Sequence, residues 1–126
     1  FVSKKILKAD LLLMPYNPEF VGINSENASS ETSKIMSPLK MFEYLASGVP
    51  LISSDIKVLK EILSDNFNCL MINKYHSTDW AMQIKKLETN YKLRKKISKN
   101  GLSTAKKYSW YNRVTKILEI YKQKNK

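Results

Sequence analysis

Three short apolar runs, separated by segments with helical spacing, constrain the fold of this 126-residue chain more than any other feature. The runs are Ala9–Tyr16, Val49–Ser53 and Cys69–Ile72. Continuous apolar runs of this length are typical of strands buried on both faces of a parallel sheet. The order therefore predicts an α/β fold, with a parallel sheet flanked by helices and ending in a helical tail. Three strands are few for such a sheet, and the chain begins at Phe1, so we expect a piece of a longer protein.

The segment between the first two runs carries the signals of a complete helix. Ser37 suits the N-cap, and Pro38 suits the first helical position, where its missing N–H is not needed. Gly48 suits the left-handed residue that ends a helix, and Pro50 prevents the helix from continuing. The spacing therefore predicts an apolar, largely buried helix between these marks.

One polar edge of this helix contains Lys40, Glu43 and Ser47. Lys40 lies in the first turn, where the helix dipole disfavours a cation and the free N–H groups favour an anion. A phosphate at the helix start would explain the lysine, and an ion pair from Lys40 to Glu43 is the alternative explanation. Ligands of open parallel sheets bind beyond the carboxyl ends of the strands. The polar stretch 17–36 and the helix start are therefore the candidate site.

Four further helices are predicted from apolar spacing after the second run. In order, their signals are a cap at Ser54 or Asp55, a cap at Thr78, the range Tyr91–Lys107 with a weak point at Asn100–Gly101, and a cap at Ser109. The chain is interpreted as a single partial domain, with an α/β part over 1–77 and a helical tail over 78–126.

The net charge of +11 is concentrated in the helical tail. From Lys85 to Lys126 there are 14 basic residues and two acidic ones, whereas the preceding part has eight lysines and nine acids. Such a tail can attract nucleic acid or an anionic membrane surface, and a solvated lysine-rich surface is the alternative. No recognised nucleic-acid motif occurs there, so nucleic acid ranks low as a partner.

Other chemistry-bearing residues give weaker signals. Cys69 is interpreted as a small apolar strand residue, and a lone cysteine fits a reducing, cytoplasmic compartment. His76 has no second histidine or cysteine nearby in the sequence and is interpreted as a surface residue. No Asp-x-Asp pair is present, so we expect neither a metal nor another cofactor.

The motifs together resemble family 4 glycosyltransferases of the GT-B fold. The resemblance rests on Ala9–Tyr16, on Ser37–Asp55, on Lys60–Leu63 and on Tyr108-Ser109-Trp110 followed by Arg113, in matching order. It implies a Rossmann-like C-terminal domain that binds a nucleotide-activated sugar, and transfer to a glycan or lipid-linked acceptor with retention of configuration. It also suggests polysaccharide biosynthesis. A nucleotide-sugar epimerase of the same fold is the alternative.

The resemblance assigns roles to individual residues. A signature pair of glutamates is separated by seven residues; the second, which binds the ribose hydroxyls, corresponds to Glu43, whereas Ile35 stands where the first is expected. The helix start that meets the diphosphate corresponds to Ser37, Pro38, Leu39 and Lys40. Candidates for lining the donor site are Tyr16 and Glu31, and Glu61 matches a further family position.

The resemblance also implies parts that this sequence does not contain. Basic diphosphate contacts would precede Phe1, and the acceptor site would lie in a missing N-terminal domain. We therefore expect the fragment alone to bind nucleotide weakly and to be inactive. We also expect a cytoplasmic protein whose basic helices can hold it at the inner membrane face.

Overall fold

The sheet observed is the one that the apolar runs predict. The computed structural model describes residues 2–16, 39–73 and 76–124. Within them, three parallel strands lie in the order β1 (Leu12–Met14), β2 (Leu51–Ser54) and β3 (Leu70–Ile72). The predicted Rossmann-like α/β architecture with a helical tail is confirmed.

The helices surround this sheet in chain order. They are α1 (Val2–Ile6), α2 (Leu39–Ser47), a 3₁₀-helix (Lys57–Glu61), α3 (Ser77–Thr89), α4 (Tyr91–Lys107) and α5 (Trp110–Lys124). The predicted range of α4 is confirmed at both ends, and its helix continues through Gly101 without a break. No helix in the described part of the chain is both long and apolar enough to cross a membrane.

Two buried clusters lie on opposite faces of the sheet, because successive strand residues point in opposite directions. On one face, Leu51 packs with Met41 and Leu45 of α2 and with Leu59 of the 3₁₀-helix. On the other face, Ile52, Leu70 and Ile72 pack with Leu87 of α3 and Ile97 of α4. The central strand β2 is consequently buried along its whole length.

Strand β1 departs from the prediction of burial on both faces. Leu12 and Met14 are buried, but Leu13 is 40% exposed. Leu13 pairs in register with Ile52 and so belongs to the face covered by α3 and α4. Those helices cover the middle of the sheet and leave Leu13 at its edge open, a placement that no local sequence pattern encodes.

Two predicted helix caps are wrong. Ser54 is the last residue of β2, and Asp55 pairs with Lys60 at 2.6 Å; the helix that follows is a five-residue 3₁₀-helix whose N-cap residue is Ile56. Thr78 lies inside α3, which begins at Ser77. The cap at Ser109 is confirmed, since its Oγ accepts a hydrogen bond from the Asn112 N–H at 3.3 Å.

Candidate functional site

The carboxyl ends of the strands form the edge at which the candidate site was expected. The backbone N–H of Tyr16 donates to Ser54 Oγ at 2.8 Å, which ties the exit of β1 to the end of β2. Ser53 and Ser54 are fully buried, and the Asp55 N–H donates to the Ile72 carbonyl at 2.7 Å. The three strand ends are thus held together by hydrogen bonds, and the half-buried Tyr16 lies above the central one.

Helix α2 begins at this same edge. A helix between two parallel strands runs back against them, so its N-terminus lies near the strand carboxyl ends. The other end of α2 leads to Pro50, whose carbonyl accepts from the Leu12 N–H at 2.9 Å, next to the start of β1. The direction of α2 therefore places its first turn, with Leu39 and Lys40, on the ligand side of the sheet.

Lys40 and Glu43 are exposed neighbours on one edge of α2. Residues three apart on a helix have Cβ atoms about 5–6 Å apart. Even so, no ion pair joins Lys40 to Glu43 within the described residues, so the alternative explanation of a solvated salt bridge is not supported. The helix presents an ammonium group and a carboxylate side by side, with both still available to a ligand.

Glu43 also lines a groove between α1 and α2. The groove has a volume of roughly 360 Å³, within the size range of small-molecule sites, and its walls are mostly apolar. Its lining residues are Ser3, Ile6, Leu7, Glu43, Ala46 and Ser47. Neither Lys40 nor Tyr16 lines it. Lys40 lies about one helical turn closer to the helix start than Glu43 does. The first turn of α2 and the groove are therefore neighbouring surface regions along one edge of the helix.

The C-terminal end of α2 is rigidly closed. Gly48 has a φ of +71°, the left-handed conformation predicted for it. Ser47 Oγ donates to the Tyr44 carbonyl at 2.7 Å and accepts from the Val49 N–H at 3.1 Å. Because its hydroxyl is engaged on both sides, Ser47 serves the helix end and is not available as a polar ligand group in the groove.

Several predicted site residues lie outside the described residues. These are Ser37, Pro38, Glu31 and the departing position Ile35. The structure therefore brings together Leu39, Lys40 and Glu43 on α2, with Tyr16 on the neighbouring strand exit. Their roles in ligand binding stay predictions.

The remaining candidates have environments that fit their predicted structural roles. Cys69 is fully buried, and burial, followed by the nearby Asp65 carboxylate, raises the pKa of its thiol to about 12. His76 and Glu61 are exposed. No three His, Cys, Asp or Glu side chains cluster closely enough to hold a metal ion among residues 2–16, 39–73 and 76–124.

Sequence reasoning interpreted Ser54 as a helix cap and not as a partner of Tyr16, and it missed the groove residues of α1. Ser54 anchors Tyr16, and the available signal was a pair of serines ending an otherwise apolar strand. The short helix α1 has no cap or long apolar stripe to predict it. Its contribution to the groove depends on packing between elements 36 or more residues apart, which local patterns do not encode.

Comparison with known proteins gives a consistent result. The family model described as "Glycosyl transferases group 1" matches residues 36–104, which is more than half of the chain and includes all of α2. An uncharacterised glycosyltransferase of Methanocaldococcus jannaschii is 32% identical over 81 residues, covering 64% of this chain and 23% of that protein.

Two further relatives are more distant. A D-inositol 3-phosphate glycosyltransferase of a Nocardioides species is 22% identical over 81 residues, covering 64% of this chain and 18% of its own length. A protein of the same name from Stackebrandtia nassauensis is 26% identical over 83 residues, covering 66% of this chain and 19% of its own length. The chain thus spans about a fifth of the length of these relatives.

Proposed function

The chain belongs to the group 1 glycosyl transferases, and from that membership we propose that it is the donor-binding part of a sugar transferase. The donor is a nucleotide-activated sugar, and the acceptor is a hydroxyl of a glycan or lipid-linked molecule bound by another part of the full protein. In the finer classification, we assign it to the C-terminal domain of a family 4 enzyme of the GT-B fold. The observation that carries the proposal is that Lys40 and Glu43 lie on one exposed edge of α2 and form no ion pair with another described residue.

The first turn of α2 supplies a positive electrostatic potential that can bind a diphosphate. Its free N–H groups and the helix dipole favour an anion, and the exposed Lys40 ammonium adds a full positive charge. During transfer, the bond from the anomeric carbon to the diphosphate oxygen breaks, and its electron pair stays with the diphosphate. The groups at the helix start stabilise this developing charge, so they act most strongly as the bond breaks.

Glu43 has the chemistry for the ribose. An ionised carboxylate accepts hydrogen bonds at two oxygens, which suits two vicinal hydroxyls. Glu43 is exposed and opens on the mostly apolar groove between α1 and α2, which can receive the less polar nucleoside end of the donor. The order along α2 therefore matches the order of the donor, with phosphates at Lys40 and the nucleoside at Glu43.

The acceptor hydroxyl completes the reaction. Its oxygen forms the new bond to the anomeric carbon, and its proton passes to the departing diphosphate oxygen as the nucleoside diphosphate leaves. We propose that the new bond forms on the face from which the diphosphate departs, so that configuration is retained. We place the acceptor-binding groups in another part of the full protein, and no residue of this chain is assigned as the base.

Binding measurements on the full-length protein separate the two assigned roles. In calorimetric titrations of uridine, guanosine, adenosine and cytidine diphosphates, we expect Lys40→Ala to weaken the best ligand by roughly 10- to 100-fold, because a charge-assisted contact is lost. The matching nucleoside, which has no phosphate, should bind Lys40→Ala and the unchanged protein equally. Glu43→Ala should weaken both ligands and remove the preference for ribose over 2′-deoxyribose.

Matched controls and a product assay complete the test. Lys99→Ala and Glu119→Ala remove the same charges from exposed positions of α4 and α5, and both should leave nucleotide affinity unchanged. Nucleotide affinities of Lys40→Ala and Glu43→Ala that equal the affinity of the unchanged protein would overturn the residue assignments. Nuclear magnetic resonance of the product should show a sugar joined to the acceptor with the donor's anomeric configuration. An epimerised nucleotide sugar formed without acceptor would contradict transfer.

A further inference from the structure

One face of α4 carries a row of lysines that donor binding does not use, with a spacing of seven residues from Lys99 to Lys106. The row lies along about 22 Å of helix and within an arc of about 120°. All six members are exposed: Lys92, Lys95, Lys96, Lys99, Lys106 and Lys107. We call this row the lysine stripe.

The opposite face of α4 explains why the stripe is fixed in place. Ile97, Gly101 and Thr104 are buried against the rest of the fold. Gly101 lies against Leu45 of α2, since a Cβ there would be 3.4 Å from Leu45 Cδ2. With the inner face held by packing, the outer face must project the stripe away from the sheet.

No negative charge of α4 balances the stripe. The helix contains no acidic residue, and none of the six lysines forms an ion pair with another described residue. The nearest acidic residue along the chain, Glu88, pairs with Lys85 at 2.9 Å. Among the described residues, Lys95 is the one member of the stripe whose ammonium group has a partner, the Tyr91 ring at 5.9 Å. A row of like charges at helical spacing costs stability, so an anionic surface would relieve this repulsion.

We propose that the lysine stripe docks the protein on an anionic lipid surface. A straight row on one helix suits a flat charged plane, and each lysine near such a surface contributes attraction that falls off within a Debye length. All six residues are lysine, which acts as a point charge; arginine, whose planar group binds individual phosphates at two points, is absent from the stripe. This composition favours the diffuse field of a membrane over the phosphates of a nucleic acid.

The neighbouring helix α5 is compatible with such a surface. It begins three residues after the stripe, buries none of its side chains and carries Trp110 and Tyr111 with about three quarters of their surface exposed. Aromatic side chains of this kind are enriched at membrane interfaces. The lysine stripe by itself carries the proposed docking. Binding to neutral vesicles measures any contribution of the exposed aromatic side chains of α5.

Vesicle flotation with the full-length protein tests the proposal. Vesicles of phosphatidylcholine with phosphatidylglycerol should bind the protein, and vesicles of phosphatidylcholine alone should not. Lys95→Ala/Lys96→Ala/Lys99→Ala should lower partitioning by roughly 100-fold, because each lysine contributes about a fivefold factor. The matched control Lys4→Ala/Lys8→Ala/Lys57→Ala removes three exposed lysines from other elements and should lower it by less than threefold.

Further arms make the outcome decisive. Lys95→Arg/Lys96→Arg/Lys99→Arg keeps the charge and should keep vesicle binding. Unchanged nucleotide affinity in the alanine triple Lys95→Ala/Lys96→Ala/Lys99→Ala would show that its loss of vesicle binding is not caused by misfolding. Equal losses in the two alanine triples would mean that net charge alone attracts the protein and would overturn the stripe as a docking site. Equal binding to neutral vesicles, or tighter binding to a duplex DNA than to anionic vesicles at the same salt, would also overturn it. Because nucleotide titrations do not involve the stripe, failure here leaves the proposed donor site intact.

Discussion

Gly48 is the residue at which the backbone conformation of the site helix is decided. Its φ of +71° lies in the left-handed region, where a side chain costs about 1–2 kcal/mol. A Cβ at this position would also lie 2.9 Å from Leu102 Cδ1, a contact that requires the leucine to move. The end of α2 therefore depends on a glycine for both conformation and space.

Gly48→Ala is expected to lower the free energy of unfolding by about 2 kcal/mol, measured by urea denaturation. Gly101→Ala is the matched control, since it adds the same methyl group inside the regular helix α4. There the new Cβ would be at ordinary contact distance, 3.4 Å from Leu45 Cδ2, and alanine favours the helix by about 1 kcal/mol. A destabilisation of equal size in both variants would show that crowding of α2 by α4, and not the conformation of Gly48, controls stability.

At the scale of elements, the turn before β3 is attached to α4 by one buried side chain. Asn68 is 2% exposed, and its Oδ1 accepts from the Ser64 N–H at 2.8 Å. Its Nδ2 donates to the Ile62 carbonyl at 2.9 Å and to Thr104 Oγ1 at 3.1 Å. The Asn68 amide thus joins the 3₁₀-helix, the turn and α4, and Asn100 of α4 adds a more exposed bond from its Nδ2 to the Phe67 carbonyl at 3.0 Å.

Asn68→Ala is expected to lower the free energy of unfolding by about 2 kcal/mol or more, because buried hydrogen-bonding groups lose their partner. Asn112→Ala provides the comparison, since it removes a single exposed bond to the Lys106 carbonyl and should cost under 1 kcal/mol. Thermal denaturation followed by circular dichroism measures both. Equal losses would show that burial of the Asn68 amide has no special effect.

The elements also show where sequence reasoning succeeds and where it fails. The limits of α4 and the left-handed Gly48 were predicted, because both depend on residues close together in the chain. The cap predicted at Ser54 or Asp55 is wrong, because the Asp55 carboxylate pairs with Lys60 and the Asp55 N–H donates to the carbonyl of Ile72 on a neighbouring strand. The groove beside Glu43 likewise depends on α1, which local patterns do not place. In both failures, contacts between separate elements decided the structure.

At the scale of the whole molecule, Cys69 reports on opening of the fold. It is the one cysteine in the sequence, and it lies fully buried directly before β3. Burial and the nearby Asp65 carboxylate raise the pKa of its thiol from 9.0 to about 12. A raised pKa in the folded state stabilises the protein below about pH 9, and this contribution is lost as the pH rises toward 12. The neutral thiol is therefore held by the intact fold.

Alkylation of Cys69 by iodoacetamide at about pH 8 should be roughly 1,000-fold slower in the native protein than in urea, because only the thiolate reacts. Mass spectrometry measures the modified fraction over time. Alkylation that proceeds through opening should become faster in Gly48→Ala by the factor by which its unfolding equilibrium constant increases, and it should not change in Lys99→Ala, an exposed substitution. A native rate within tenfold of the unfolded rate would contradict the burial of this thiol.

The strand register has a consequence for how the donor site can change during evolution. Leu12 of β1 pairs with Leu51 of β2, and Ile52 of β2 pairs with Leu70 of β3. The stretch of sequence that separates the paired residues is therefore far longer for β1 and β2 than for β2 and β3. The entropic cost of closing such a connection grows only with the logarithm of its length, by about 0.6 kcal/mol for each doubling. The pairing of β1 with β2 therefore tolerates a change in the length of the chain between them at little cost to folding. Under the proposed donor-binding function, we expect relatives with different donors to differ in this connection and to keep the same sheet.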